Sequence, residues 1–184
     1  MKKILLCAAS LFLAYLSYKV CSMIGQVKLD SWFLGILLAI IINLLVTGVF
    51  AFSGFALPTQ KLLPRWYYHI YQPETLKTLC KAIKVNLYRD FLLATFWRSS
   101  EMRRQYFDGT SQGMSALVIH SKKSEFGHLF PFIILSVMCV YWMYSGNLHI
   151  AIPCILINLF FNFYPIILQR HHRMRIQKIA KRYQ

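Results

Sequence analysis

Four apolar stretches punctuate the chain, at about residues 4–24, 32–57, 129–144 and 148–168. Each approaches the roughly 20 residues that an α-helix needs to cross a hydrocarbon core. The first carries one charge, Lys19, close enough to its end for the ammonium to reach the interface, and the second holds Asn43 as its strongly polar position. The third is short, and Ser145-Gly146-Asn147 separates it from the fourth. Two helical hairpins are expected, one turning between Gly25 and Ser31 and the other at Gly146.

Between the second and third stretches, Pro58 to His128 is too long for a structureless connection in a compact protein. Pro73-Glu74 reads as a helix start, after which Leu76, Leu79, Cys80, Ile83 and Leu87 recur at helical spacing while Lys77, Lys81 and Lys84 take another face. That pattern suits a helix lying in the membrane interface, and equally one packed against the bundle. Trp66, Tyr67, Tyr68, Tyr71, Trp97 and Tyr106 supply amphipathic rings suited to headgroup depth. A second short helix is expected through Arg103 and Arg104, ended by a turn at Phe107-Asp108-Gly109-Thr110.

Composition agrees with this pattern. Apolar residues make up 57% of the 184, and the mean hydropathy of +0.46 lies far above that of a soluble domain. The fold expected is therefore an all-α integral membrane protein, one membrane domain over 1–184, with four transmembrane helices in two hairpins and an interfacial helical segment, 58–128, between them. Five cysteines, odd in number and without a C-x-x-C pair, suggest neither a disulfide framework nor a zinc site.

The net charge of +15 changes the picture more. The basic residues cluster beside the apolar spans, so membrane lipids with anionic headgroups are the expected partner and nucleic acid is not. Lys2 and Lys3 precede the first span, eleven Lys and Arg lie between Pro58 and His128, and six follow Leu168, whereas the two short turns hold only Lys28. Positive residues stay cytoplasmic, which puts both termini, the segment 58–128 and the basic tail 169–184 on that side of a multi-pass protein. A cleavable signal peptide is the alternative for the N-terminus, but the apolar run is long and no small-x-small site leads into a soluble sequence.

Candidate chemistry begins with Ser124-Glu125-Phe126-Gly127-His128. The chain has only six acidic residues, and on a helix Glu125 and His128, three apart, share a face. A carboxylate bonded to one imidazole nitrogen would fix the tautomer and leave the other nitrogen to take a proton from a hydroxyl. A structural reading competes: Ser124 as an N-cap, Glu125 as a first-turn acid and His128 as an interfacial polar residue. A carboxylate-bridged di-iron centre needs a second Glu-x-x-His and two more glutamates, and beyond Glu125 the chain has only Glu74 and Glu101. No metal is therefore expected, although a histidine site drawn from His120, His128, His171 or His172 stays open. On the fourth span, Asn158, Asn162, Pro165 and Gln169 fall within one narrow arc that Arg173 continues, which reads as a polar groove with Arg170, Arg173 and Arg175 at its mouth. Asn43 alone reads as interhelical glue.

Taken together, Lys123-Ser124-Glu125-Phe126-Gly127-His128, Asn158 to Asn162, Tyr164-Pro165-Ile166-Ile167-Leu168-Gln169-Arg170 and Arg173-x-Arg175 resemble the glycosyl-4,4'-diaponeurosporenoate acyltransferase family, mainly over Tyr106 to Arg182. Members are small bacterial membrane proteins that attach a fatty acyl group to a sugar hydroxyl of a glycosylated carotenoid. The chain departs from the family where it has His171-His172 in place of Tyr-Asn and Leu129 in place of tryptophan, and it is longer before Pro58.

The resemblance implies an O-acyltransferase of the bacterial cytoplasmic membrane, with no bound cofactor and with acyl-CoA or another thioester as donor. The acceptor would be a lipid-soluble hydroxyl compound such as a glycosylated carotenoid or another glycolipid. In that reading His128 is the base and Glu125 its orienter. Asn158, Asn162, Tyr164 and Gln169 bind substrate, and Arg170, Arg173 and Arg175 attract the donor's phosphates. A non-catalytic membrane accessory or lipid-binding scaffold is the alternative, with the amides serving as packing glue.

Overall fold

The computed structural model describes residues 1–26, 30–99, 101 and 110–180, and every regular element among them is helical. The expected helix through Arg103 and Arg104, Tyr106, the turn residues Phe107-Asp108-Gly109 and Lys28 lie outside the described residues. Helix α1 is Lys2–Gln26 and α2 is Trp32–Ala56. A single 3₁₀ turn, Thr59–Lys61, leads to α3 (Arg65–Tyr68), α4 (Pro73–Ala82) and α5 (Val85–Ala94). Helix α6 is Ser111–Tyr144, α7 is Leu148–Asn158, a π-helical turn occupies Leu159–Phe163, and α8 is Tyr164–Ala180. Four helical stretches, Lys2–Gln26, Trp32–Ala56, Gly113–Tyr144 and Leu148–Ile179, are long and apolar enough to cross a membrane.

Three local expectations are corrected. Helix α6 starts at Ser111, so Ser124 lies within it and caps nothing, and Glu125 and His128 are far from the positive end of its dipole. The reason is the absence of any proline or glycine from Met114 through Phe126, which leaves nothing to stop the helix. Second, the helix that opens at Pro73 closes at Ala82: Lys84 adopts a left-handed conformation (φ 52°), and Val85 begins a new helix. Leu87 therefore does not extend the stripe of Leu76 and Cys80. Third, the fourth span is not one regular helix. The π-helical turn interrupts the 3.6-residue repeat, so the single arc drawn from Asn158 to Gln169 does not carry through it.

The internal contacts divide the chain into two compact units. One comprises residues 1–58 and 126–163. Its core joins Ile42 and Val46 of α2 with Leu135, Cys139 and Trp142 of α6 and Ile150 and Cys154 of α7. Polar side chains stitch the helices: Ser10 donates to the Val49 carbonyl at 2.9 Å, and Asn43 reaches the Cys154 thiol at 3.3 Å. Gly35 is required where α2 meets the start of α7, because a Cβ there would collide with the carbonyl of His149. Leu5, Phe12, Phe33, Leu44, Val137 and Val140 are exposed, on helices long and apolar enough to cross a membrane.

The other unit comprises 59–125 and 164–184. Leu76, Cys80, Val85, Tyr88, Ile166, Ile167 and Leu168 are its buried apolar residues. Tyr164 ties α8 to the α4–α5 junction: its hydroxyl donates to the Ile83 carbonyl at 3.0 Å and its ring lies 5.1 Å from that of Tyr88. Burial raises the Tyr88 hydroxyl to a pKa of about 12.

Candidate functional site

Within the first unit, the polar side chains of three spans form one hydrogen-bonded series. Asn158 donates through Nδ2 to the Phe132 carbonyl (3.0 Å) and to the Ser136 hydroxyl (3.2 Å). Its Oδ1 accepts from Asn162 Nδ2 at 3.0 Å. Asn162 Oδ1 in turn receives the Thr47 hydroxyl at 3.1 Å and lies 3.1 Å from His128 Nδ1. Both asparagines are fully buried.

The direction of this series follows from its far end. The Phe132 carbonyl can only accept, so the atom of Asn158 facing it is the amide nitrogen. That turns Asn158 Oδ1 towards Asn162 and obliges Asn162 to present Nδ2 to it, leaving Oδ1 for Thr47 and His128. An oxygen facing Nδ1 requires the hydrogen on Nδ1. In the neutral ring the basic lone pair then sits on Nε2. The π-helical turn runs from Leu159 through Phe163 and so contains Asn162, a departure from α-geometry of the kind that recurs at functional sites.

Glu125 has other partners. Its Oε1 accepts from Tyr67 Oη and from Arg170 Nε, both at 2.9 Å, and its Oε2 accepts from Arg173 Nη2. Arg173 Nη1 also donates to the Ser121 hydroxyl at 2.9 Å, and Ser121 donates to the Gln169 carbonyl at 3.2 Å. The guanidinium groups lie over aromatic rings, Arg170 at 4.9 Å from Tyr67 and Arg173 at 5.3 Å from Tyr68. Burial first, and the Glu125 charge second, raise the hydroxyl pKa of both tyrosines, Tyr68 to about 12 against the opposing charge of Arg173.

The expected site residues thus separate into two settings. His128, Asn158 and Asn162 belong to one hydrogen-bonded series, and the partner at His128 Nδ1 is the Asn162 amide, in the position the sequence reading gave to Glu125. Glu125 and Arg173 form a buried ion pair, Arg173 only 2% exposed, which the partly exposed Arg170 joins. Arg175 is exposed, Tyr164 secures the fold, and Gln169 lines a cavity with Leu168 and His172. Thr47, Ser121, Tyr67 and Tyr68 were not anticipated. Thr47 lies one turn beyond Asn43, and Ser121 one turn before Glu125, so shared helical faces were the available signal. Among the described residues, no three His, Cys, Asp or Glu side chains gather as ligands for a metal ion.

The described residues define an all-helical protein with four helices long and apolar enough to cross a membrane, and with an imidazole hydrogen-bonded to a series of buried amides. The more particular statement comes from comparison: the family model described as glycosyl-4,4'-diaponeurosporenoate acyltransferase matches residues 64–182. The chain belongs to that family and is an acyltransferase. No curated protein and no solved structure matches the chain.

Proposed function

We propose that the protein transfers a fatty acyl group from a thioester to a hydroxyl of a lipid-soluble acceptor, a glycosylated carotenoid or a related glycolipid, with His128 as general base. The observation that carries the role of His128 is the amide series ending at its Nδ1, which leaves Nε2 as the basic nitrogen of the neutral ring. Nε2 would take the acceptor's hydroxyl proton as the oxygen attacks the thioester carbonyl. Collapse of the tetrahedral intermediate breaks the carbon–sulfur bond, and the imidazolium returns its proton to the departing thiolate. Asn162, with Thr47 and Asn158 behind it, is a positioning residue, holding ring and tautomer as the transition state forms. Glu125 holds Arg170 and Arg173 and through them the fold of its own unit.

The charge distribution supports a bacterial cytoplasmic membrane location with both termini cytoplasmic. Acyl transfer from labelled acyl-CoA to extracted glycolipid, by the purified protein in lipid bilayers, tests the reading. Removing a general base costs on the order of 10²- to 10⁴-fold, so His128→Ala should lose activity by that factor while remaining folded. Full activity in His128→Ala would overturn the role.

A further inference from the structure

Within the unit formed by 59–125 and 164–184, a cavity of about 150 Å³ opens between α5 and α8. Leu92, Leu93, Trp97 and Leu168 give it apolar walls, and Arg89, Gln169 and His172 supply its polar groups. Gln169 is nine-tenths buried. Arg89 bridges to Asp90 at 2.8 Å. Arg89, shared with Asp90, is the cation among the described residues that line the cavity. Apolar walls beside a cation complement an acyl chain joined to an anionic group such as phosphate. A neutral sterol or an unesterified sugar would use only half of it. The sequence reading gave donor phosphates to Arg170, Arg173 and Arg175, of which the first two are engaged with Glu125; Arg89 at this cavity offers that attraction in their place.

We propose that this cavity is the subsite for the acyl chain of the donor, with Leu92, Leu93, Trp97 and Leu168 enclosing the chain and Arg89 attracting its phosphorylated carrier. The inference rests on the acyl-transfer reading for its choice of ligand but not on His128. Two sources carry this chemistry, an acyl thioester of a phosphorylated carrier and an anionic phospholipid.

The test is equilibrium binding of radiolabelled octanoyl-CoA, and of CoA alone, to the full chain in phosphatidylcholine nanodiscs, repeated with phosphatidylglycerol added as competitor. Octanoyl-CoA should bind more tightly than CoA. Leu93→Trp, which fills the cavity, should weaken octanoyl-CoA more than about tenfold while leaving CoA unchanged, since each methylene excluded costs several-fold in affinity. Arg89→Gln, at the rim and outside the apolar wall, should weaken both ligands and serves if Leu93→Trp does not fold. Binding of phosphatidylglycerol in place of octanoyl-CoA, lost on the same two substitutions, would assign the cavity to lipid and overturn its assignment to the donor. Affinities for both ligands that neither substitution alters in a folded protein would overturn the proposal. The His128→Ala protein should bind octanoyl-CoA as the unsubstituted chain does, so failure of the subsite and failure of the proposed base are separable.

Discussion

Arg173 and Glu125 face each other out of water, the arginine 2% exposed and the glutamate not at all, with Ser121 and the Tyr68 carbonyl accepting two further guanidinium hydrogens. A buried pair of this kind adds little over apolar packing, but removing one member strands the other. Glu125→Gln would leave two guanidinium groups with a neutral partner. It should destabilise the protein by about 3–5 kcal/mol, read as a fall in the thermal unfolding midpoint in detergent. Activity that survives at temperatures where the variant is folded should keep its pH profile. A shifted profile would instead return Glu125 to the role of orienting His128.

The amide at Asn162 makes the opposite prediction. Asn162→Asp places a carboxylate against Nδ1, which favours the imidazolium. A base must be unprotonated to act, so the acid limb of the rate profile should move to higher pH, with kcat changed more than KM. Asn162→Ala frees the ring and should reduce kcat about 10- to 100-fold, the range seen when orienting groups behind a functional histidine are removed. Rates and profiles equal to the unsubstituted protein in both variants would show that the amide series only packs.

Tyr68 is 3% exposed, and its hydroxyl has no hydrogen-bond partner among the described residues. Its ring still serves Arg173 and Lys122, at 5.3 and 5.0 Å. Tyr68→Phe keeps the ring and deletes the unpaired oxygen, so stability at neutral pH should hold or rise by about 1 kcal/mol. The alkaline limb should respond as well. Tyr68 titrates near 12 in the folded protein and near 10 when unfolded, so from about pH 10 to 12 the folded state retains a proton that the unfolded state loses. Stability falls as pH climbs through that window, and Tyr68→Phe should make the fall shallower in unfolding measured across it.

Lys84 sits at φ 52° between two helices, a conformation that carries a penalty for any side chain with a Cβ. Lys84→Gly should relieve it and raise stability by about 1 kcal/mol. An unfolding midpoint that drops instead would mean that the lysine side chain makes a compensating contact with its surroundings.

The spans were legible because hydropathy is a local property: twenty apolar residues in a row need no partner to declare what solvent they prefer. The same locality misled at Ser124, where a change of composition was read as a helix end. A helix stops where its backbone loses partners or is broken, and the residues from Met114 through Phe126 do neither. Asn158 and Asn162 were singled out because polar groups in an apolar span need a reason to be there, and His128 because its spacing from Glu125 puts the two on one helical face. Their order of donation was not legible, since it depends on the Phe132 carbonyl and on a π-helical turn that shifts Asn162 relative to a regular helix.

Sequence alone determined the class of this protein, its four apolar helices and the residues whose chemistry is out of place in lipid. The fold decided which of those residues meet. Glu125 lies three positions from His128 but 45 and 48 from Arg170 and Arg173, and its oxygens go to the arginines. Coulomb attraction in a dry interior outweighs proximity along the chain: a buried carboxylate is most stable where charged donors surround it, and only the packed structure brings them there.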